Sequence, residues 1–284
     1  MIVLKNNTFI ERKEATIDME DRGFQFGDGV YEVIRVYNGE YFLLEDHIKR
    51  LQYSLNEIGI TYDLEENGLR DDLIELLEAN EVEDGGIYLQ VSRGIAPRAH
   101  PYPSDAQPTL FAYPIHVVKP VAEQGTGVQV ILEEDFRWLR CDIKSLNLLG
   151  NVMTKQKAKE NGAFEAIFYR NEDHVTEGSS TNVFVVKDGT LYTHPADNYI
   201  LNGITRRYIL HVAEETNVPV EETVFSLDFL HEADEVFVAS TTAEIVPVVQ
   251  IENEVIANGK PGDVTKQLLQ SFAKHQSLET LPVN

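Results

Sequence analysis

Disulfide chemistry is closed to this chain: its 284 residues hold one cysteine, Cys141. A single thiol excludes an internal disulfide framework and fits a reducing compartment. Long apolar runs are missing as well, and no segment offers the roughly 20 apolar residues that a membrane-spanning helix needs. Positive charge is scarce, with Lys+Arg 24 against Asp+Glu 47 and a formal net charge of −23. A surface this acidic repels nucleic acid and anionic lipid, so neither is expected as a partner. The excess acid reads as a solubility device, with adaptation to a salty host as the sharper alternative. The eight histidines are scattered. No pair of them has the spacing of a helical metal site, so no metal is expected. Low-complexity tracts and fixed-period repeats are also missing.

What is present suits a globular protein. Hydrophobic residues make up 43% and charged residues 25%, enough for a full core, and the length suits two domains. The opening MIVLKNNTFIERKEATID breaks its apolar residues with charges at once. It does not read as a signal peptide, and the cytoplasm is the expected location. Residues 30–36 alternate, Asn38-Gly39 follows, and 41–44 completes a hairpin pattern. In EDHIKRLQYSLNEIGI, Ile48, Leu51, Leu55 and Ile58 fall at helical spacing. Leu69, Leu73, Leu76 and Leu77 mark a second helix. Strands are predicted over 86–93 and 107–117, joined through the proline-rich GIAPRAHPYPSD, which reads as a surface loop. The first domain is therefore set at 1–117, a linker at 118–125, and the second domain at 126–284. In the second half, strands are predicted over 128–132, 163–170, 182–186 and 235–239. Helices are predicted from about 146 to 161, over 205–217 and over 263–274. The irregular mixture points to an α+β chain.

Four segments carry chemistry. Lys144 stands in DFRWLRCDIKSLNLLGN, just before a leucine-rich stretch. Alone, it reads as a lysine that snorkels from a helix start. The functional alternative is a Schiff-base lysine, since an amine held out of water is more easily kept neutral and nucleophilic towards an aldehyde. Glu177 lies in VTEGSSTNVFVV, in a turn-forming cluster before a β-branched strand. It is either a solvated turn acid or a carboxylate held beside a cofactor's ring nitrogen. In ILNGITRRYIL a glycine precedes Ile204 and Thr205 at a predicted helix start, where N–H groups and the helix dipole favour phosphate. Ser240 and Thr241, in VASTTAEI, end a buried strand and offer hydroxyls at its tip.

Together and in this order, these segments resemble the fold-type IV family of pyridoxal-phosphate enzymes, from DRGFQFGDGVYEVIRV near the start to STTAEI near the end. The resemblance implies an α+β fold of two domains, with the pyridoxal 5′-phosphate site between them. It implies that Lys144 is the Schiff-base lysine and that Glu177 pairs with the pyridine nitrogen. Arg50, in HIKRL, would grip the cofactor phosphate, although without the resemblance it reads as a solvated helix arginine. Ile204, Thr205 and Thr241 would add phosphate contacts, with Ser240 beside them, and Leu201 would support the ring. His47 is expected to support its helix, Arg137 and Trp138 to line or brace the site, and Cys141 to be an oxidation-sensitive bystander.

Two further segments, GVYEVIRV and RGIAPRAHPYP, are similar to those of the family's D-amino-acid aminotransferases. Arg98 and His100 are two apart, so in an extended segment they project to one side. The resemblance implies that they reach the neighbouring subunit of a homodimer and there join Tyr31 in a trap for the substrate carboxylate. It further implies ping-pong transamination of D-amino acids, of the D-alanine or D-glutamate type, with a 2-oxo acid acceptor. A branched-chain L-amino-acid aminotransferase and an aminodeoxychorismate lyase of the same fold are the alternatives. A binding protein that has lost catalysis would have no use for Lys144.

Overall fold

The structure is a computed structural model and describes residues 1–276 and 278–281. The chain forms two units. Met1–Val118 groups with Ile143–Asn147 and the described tail residues 278–281, while Lys119–Asp142 groups with Leu148–Gln276. The segment that holds Lys144 thus belongs by its contacts with the first unit, although it lies in the second half of the sequence.

The first unit is built on one six-stranded sheet. Its strands are β1 (Ile2–Lys5), β2 (Thr8–Glu11), β3 (Gly29–Tyr37), β4 (Glu40–Tyr41), β5 (Gly85–Ser92) and β6 (Thr109–Ile115), in the spatial order β2-β1-β6-β5-β3-β4. The predicted alternation is real: Val30, Ile34 and Val36 are fully buried on one face of β3, while Tyr31 and Val33 are half-buried on the other. Asn38 and Gly39 both adopt positive φ, the conformation a two-residue hairpin turn demands. A short helix α1 (Arg22–Phe26) precedes β3, and the longer helices α2 (Leu44–Glu57) and α3 (Leu69–Ala79) follow it. Leu51, Leu55, Leu73 and Leu76 face the sheet's buried side at helical spacing and complete a core with Leu4, Ile87 and Leu89. The tail closes onto α2: Leu43 N–H donates to Leu278 O at 2.7 Å, and Leu281 N–H donates to Asp46 Oδ2 at 2.7 Å.

The second unit opens with α4 (Val121–Thr126), a helix where the sequence reads as linker. Gln124 explains it: the side chain is buried and donates to the Ala243 carbonyl at 3.2 Å, contacts that a local reading does not see. The remaining elements are β7 (Val128–Glu134), α5 (Leu149–Glu160), β8 (Glu165–Asn171), β9 (His174–Gly178), β10 (Asn182–Lys187), β11 (Thr190–Thr193), α6 (Ile204–Glu215), β12 (Val220–Glu222), α7 (Leu227–His231), β13 (Glu235–Ser240), β14 (Glu244–Ile251), β15 (Glu254–Val255) and α8 (Asp263–Phe272). The strands form one sheet in the order β12-β11-β10-β13-β14-β7-β8-β9, with β15 paired to β14. Central β10 and β13 are buried on both faces, and their apolar residues run without interruption. At their junction the Phe184 and Phe237 rings stack with centroids 4.7 Å apart. Strand β14 escapes sequence reading because Pro247 argues against a central strand. It is tolerated because β7 pairs with β14 only from Val248 onward.

Two predicted features shift. The helix expected from about 146 begins at Leu149, because residues 144–146 pair with β3 instead. Glu177, expected in a turn, is a buried residue within β9.

Phe237 is fully buried, and a phenylalanine-to-alanine change in such a core costs about 3–5 kcal/mol. Phe237→Ala is expected to lower the unfolding free energy by that amount, read as a fall in the denaturant midpoint at unchanged m-value. A midpoint within error of wild type would show that this ring pair does not carry the core.

Candidate active site

In the first unit, Lys144 is set in place by its backbone. Tyr31 N–H donates to Lys144 O at 3.0 Å, and Leu146 N–H donates to Gly29 O at 3.0 Å, so residues 144–146 add an antiparallel bridge beside β3. Lys144 N–H reaches Ser54 Oγ on α2 at 3.3 Å. The amine itself lies 4.3 Å from the centroid of the Tyr31 ring. Among the described residues it has no carboxylate and no hydrogen-bond acceptor. In a protein with so many acids, an amine left without a counter-ion is available for chemistry.

Arg50 lies close by in sequence and in space, through Glu32, the residue after Tyr31. Arg50 Nε donates to Glu32 Oε1 at 2.7 Å and Nη2 to Oε2 at 2.8 Å. His47 Nδ1 lies 2.7 Å from Glu32 Oε2. Glu32 is fully buried. Burial alone would raise its pKa, but the charge of Arg50 and the hydrogen bonds from Arg50 and His47 outweigh burial and hold the carboxyl well below its ordinary range. Burial drives the His47 pKa below its ordinary value against the pull of Glu32, aided by Arg50 and Lys144. With Arg50 already balancing Glu32, His47 stays neutral and its Nδ1–H donates. The structure therefore brings Tyr31, Arg50 and Lys144 together. It does not bring Arg98 and His100 to them: among the described residues no hydrogen bond, ion pair or ring contact links that pair to Tyr31.

In the second unit the organising residue is Asn182, at the start of β10. Its Nδ2 donates to Glu177 Oε2 at 3.2 Å and to Leu201 O at 2.9 Å. Leu201 N–H also donates to Glu177 Oε2 at 3.0 Å, and Arg137 Nη1 donates to Oε1 at 2.7 Å. Arg137 is held in turn by Asp135, with Nε to Oδ1 and Nη2 to Oδ2 both at 2.9 Å. Burial pushes the Glu177 carboxyl up from its ordinary value, with Arg137 pulling the other way. Gly203 is the N-cap of α6, and no side chain caps that helix. A Cβ at Gly203 would lie 2.2 Å from Asn182 Oδ1, so only glycine lets the helix start come this near. Asn182 pairs in register with Ala239, next to Ser240 at the tip of β13. Glu177, Leu201 and the start of α6 at Gly203 thus meet at the Asn182 side chain, and β13 brings Ala239, the residue before Ser240, into register with Asn182.

The residues 29–251 match the family described as amino-transferase class IV. The chain belongs to the class IV aminotransferases. It is 53% identical over 268 residues to a D-alanine aminotransferase of Bacillus licheniformis, covering 94% of each chain. It is 49% identical over 277 residues to a D-alanine aminotransferase of Listeria monocytogenes, covering 96% of each. Its fold is similar to that of a branched-chain aminotransferase from the thermophilic archaeon Thermoproteus uzoniensis, solved with norvaline, at a TM-score of 0.86 and 28% identity, covering 96% of this chain and 94% of that one.

The residues of this class IV aminotransferase fit pyridoxal 5′-phosphate. Among the described residues the Lys144 amine has no hydrogen-bond or ion-pair partner, the buried Glu177 carboxylate would gain from a cationic ring nitrogen, and α6 begins with an N-terminus that no side chain caps, the kind of end that favours phosphate. Two supporting acids escaped the sequence reading. Glu32 stands in the apolar register Val30, Ile34, Val36, and an acid in that register is itself the signal of a buried, paired carboxylate. Glu165 is fully buried and accepts hydrogen bonds from the hydroxyls of Ser179, Ser180 and Thr181, which fixes the turn after Glu177. Cys141, expected to be oxidation-sensitive, is buried, and burial pushes its thiol pKa up to about 11. It is protonated and poorly reactive at neutral pH.

The neutral state of His47 has a pH signature. Its native pKa is depressed, so below about pH 6.5 the unfolded chain takes up a proton that the native state declines. Stability therefore falls as pH drops from about 6.5 towards the native value. His194, also buried with a lowered pKa, adds to the slope. His47→Asn should flatten part of the decline of Tm between pH 7 and pH 5, read by scanning calorimetry. An unaltered slope would mean that His47 binds its proton equally in the folded and unfolded chain, and a steeper one that it is charged in the folded protein.

Proposed function

We propose that this class IV aminotransferase transfers the amino group of a D-amino acid, of the D-alanine or D-glutamate type, to a 2-oxo acid. The observation that carries the reading is the Lys144 amine over the Tyr31 ring, without a counter-ion among the described residues. The names of the bacterial relatives support the choice of enantiomer. Pyridoxal 5′-phosphate, when bound, supplies an aldehyde for the substrate amine and a ring that accepts the electrons released at the α-carbon.

The chain's own residues do the rest. Lys144 Nζ takes the proton from the substrate α-carbon and returns it elsewhere on the same side, acting as base and then as acid. Glu177, fixed by Arg137, Asn182 and Leu201, holds a proton on the ring nitrogen. The N–H groups of Ile204 and Thr205, with Thr241, Ser240 and Arg50, hold the phosphate, and Leu201 backs the ring. Arg98 and His100 bind the substrate carboxylate together with Tyr31 of a second copy. The lysine approaches from one side only, so a carboxylate receptor in one fixed place selects one enantiomer. Residues 1–117 carry substrate recognition and contribute Arg50 to the phosphate, and 126–284 carry the rest of cofactor binding. The working unit is a homodimer in the cytoplasm. Met19 and Phe24, next to the buried Arg22, are 79% and 74% exposed and suit such an interface.

Purified protein is expected to transaminate D-alanine and D-glutamate with ping-pong kinetics, and to leave L-leucine untouched. Preferred turnover of L-leucine would replace this reading with the branched-chain one. Lys144→Ala should lose the visible absorption band of the bound cofactor and nearly all turnover. Arg98→Ala should raise KM for donor and acceptor by about ten- to a hundredfold while the band persists. Unchanged D-alanine kinetics in that variant would remove Arg98 from the carboxylate site.

A further inference from the structure

Residues 93–108 join β5 to β6 and present Arg98 and His100, both exposed. A loop of this length with Pro97, Pro101, Pro103 and Pro108 has few backbone donors with which to order itself. Its neck is tight: Gly94 has a φ of +98°, and a Cβ there would sit 1.8 Å from the Gln107 carbonyl oxygen. Backbone bonds secure the first residues, with Arg22 N–H to Gly94 O at 2.9 Å and Ala96 N–H to Glu20 O at 3.3 Å. Beyond that point the loop is held by side chains.

Arg22 is 3% exposed. Its Nε donates to Asp28 Oδ2 at 2.7 Å, its Nη1 to the Ala99 carbonyl at 2.6 Å, and its Nη2 to the His100 carbonyl at 3.3 Å. Asp28 also receives Arg93 Nε at 2.9 Å, and Arg93 lies 3.5 Å from the Tyr102 ring centroid further along the loop. The Phe26 ring takes the Arg98 guanidinium at 4.3 Å and the His100 ring at 5.7 Å, and Arg22 lies 4.8 Å from the same ring. The two carbonyls that Arg22 grips belong to the residue between Arg98 and His100 and to His100 itself. A planar fork that donates to consecutive carbonyls fixes both peptide planes. Those planes flank the His100 Cα and so fix the direction in which its side chain leaves the backbone, while the Phe26 ring, shared by the Arg22 and Arg98 guanidiniums, ties Arg98 to the same frame. Asp28 makes the burial of that guanidinium tolerable.

We propose that Arg22 is the positioning residue for Arg98 and His100: it does not touch the substrate but sets where their shared anion site points. The proposal rests on the reading of that pair as the receptor of the substrate carboxylate. A lysine at position 22 could keep the charge beside Asp28 but could not bridge both carbonyls, so charge and aim are separable.

The test compares the holoenzyme with Arg22→Lys, Arg22→Ala, Arg98→Ala and the double variant Arg22→Ala/Arg98→Ala. D-alanine kinetics are measured together with binding of propionate, an unreactive carboxylate, followed by the visible absorption of the bound cofactor. Arg22→Lys is expected to weaken propionate binding and raise KM for D-alanine on the order of tenfold or more, while kcat falls by less than about threefold. In the Arg98→Ala background, Arg22→Ala should add less than about twofold, because a residue that acts through another loses its effect once the other is gone. Should Arg22→Ala fail to fold, Arg22→Lys and Arg22→Gln in both backgrounds give the same comparison. Wild-type propionate binding in Arg22→Lys, or full additivity in the double variant, overturns the proposal. If Arg98→Ala alone leaves propionate binding intact, the carboxylate reading falls and the proposal with it. If Arg98→Ala weakens binding and Arg22→Lys does not, only the proposal falls.

Discussion

Two backbone hydrogen bonds set everything else in the first unit. They tie residues 144 and 146 to Tyr31 and Gly29, and so convert a leucine-flanked stretch into an extra edge beside β3. A strand pair fixes the Cα of Lys144 to within the tolerance of the ladder, whereas a lysine on a helix surface would sweep a wide arc. The amine then needs no carboxylate to locate it. That matters chemically, because any carboxylate close enough to hold the amine would also hold its proton.

In each unit the protein confines its buried charge to closed groups. Glu32 is shared by Arg50 and His47; Asp135 and Glu177 share Arg137; Asp28 is shared by Arg22 and Arg93. Each group is internally satisfied, which is what lets charge remain buried without melting the core around it. The same pairing holds polar groups still before any ligand arrives, so little reorganisation is left for the chemical step.

The sequence makes the reactive residues readable and hides their supports. Lys144 and Glu177 stand in distinctive local strings, and the hairpin at Asn38-Gly39 follows from turn chemistry alone. Glu165 was invisible because its partners, Ser179 to Thr181, meet it only after β8 and β9 have paired. The helix at 121–126 was invisible because Gln124 finds its partner near residue 243. Strand β14 was masked by a proline whose missing N–H is harmless only where β7 has not yet joined. Glu32 was the one support in plain view, an acid within a row of buried valines and isoleucines. The alternation identifies a strand, and the single acid in its apolar row marks a buried, paired carboxylate.

The sheet that carries Tyr31 is finished by residues near position 145, and its helix α2 by residues 278–281. On the ribosome, the first unit must therefore wait for almost the whole polypeptide before its last contacts form. Truncated nascent chains would expose an incomplete edge and an unclosed helix end, and the part before residue 118, cut off there, would lack both segments that finish its fold.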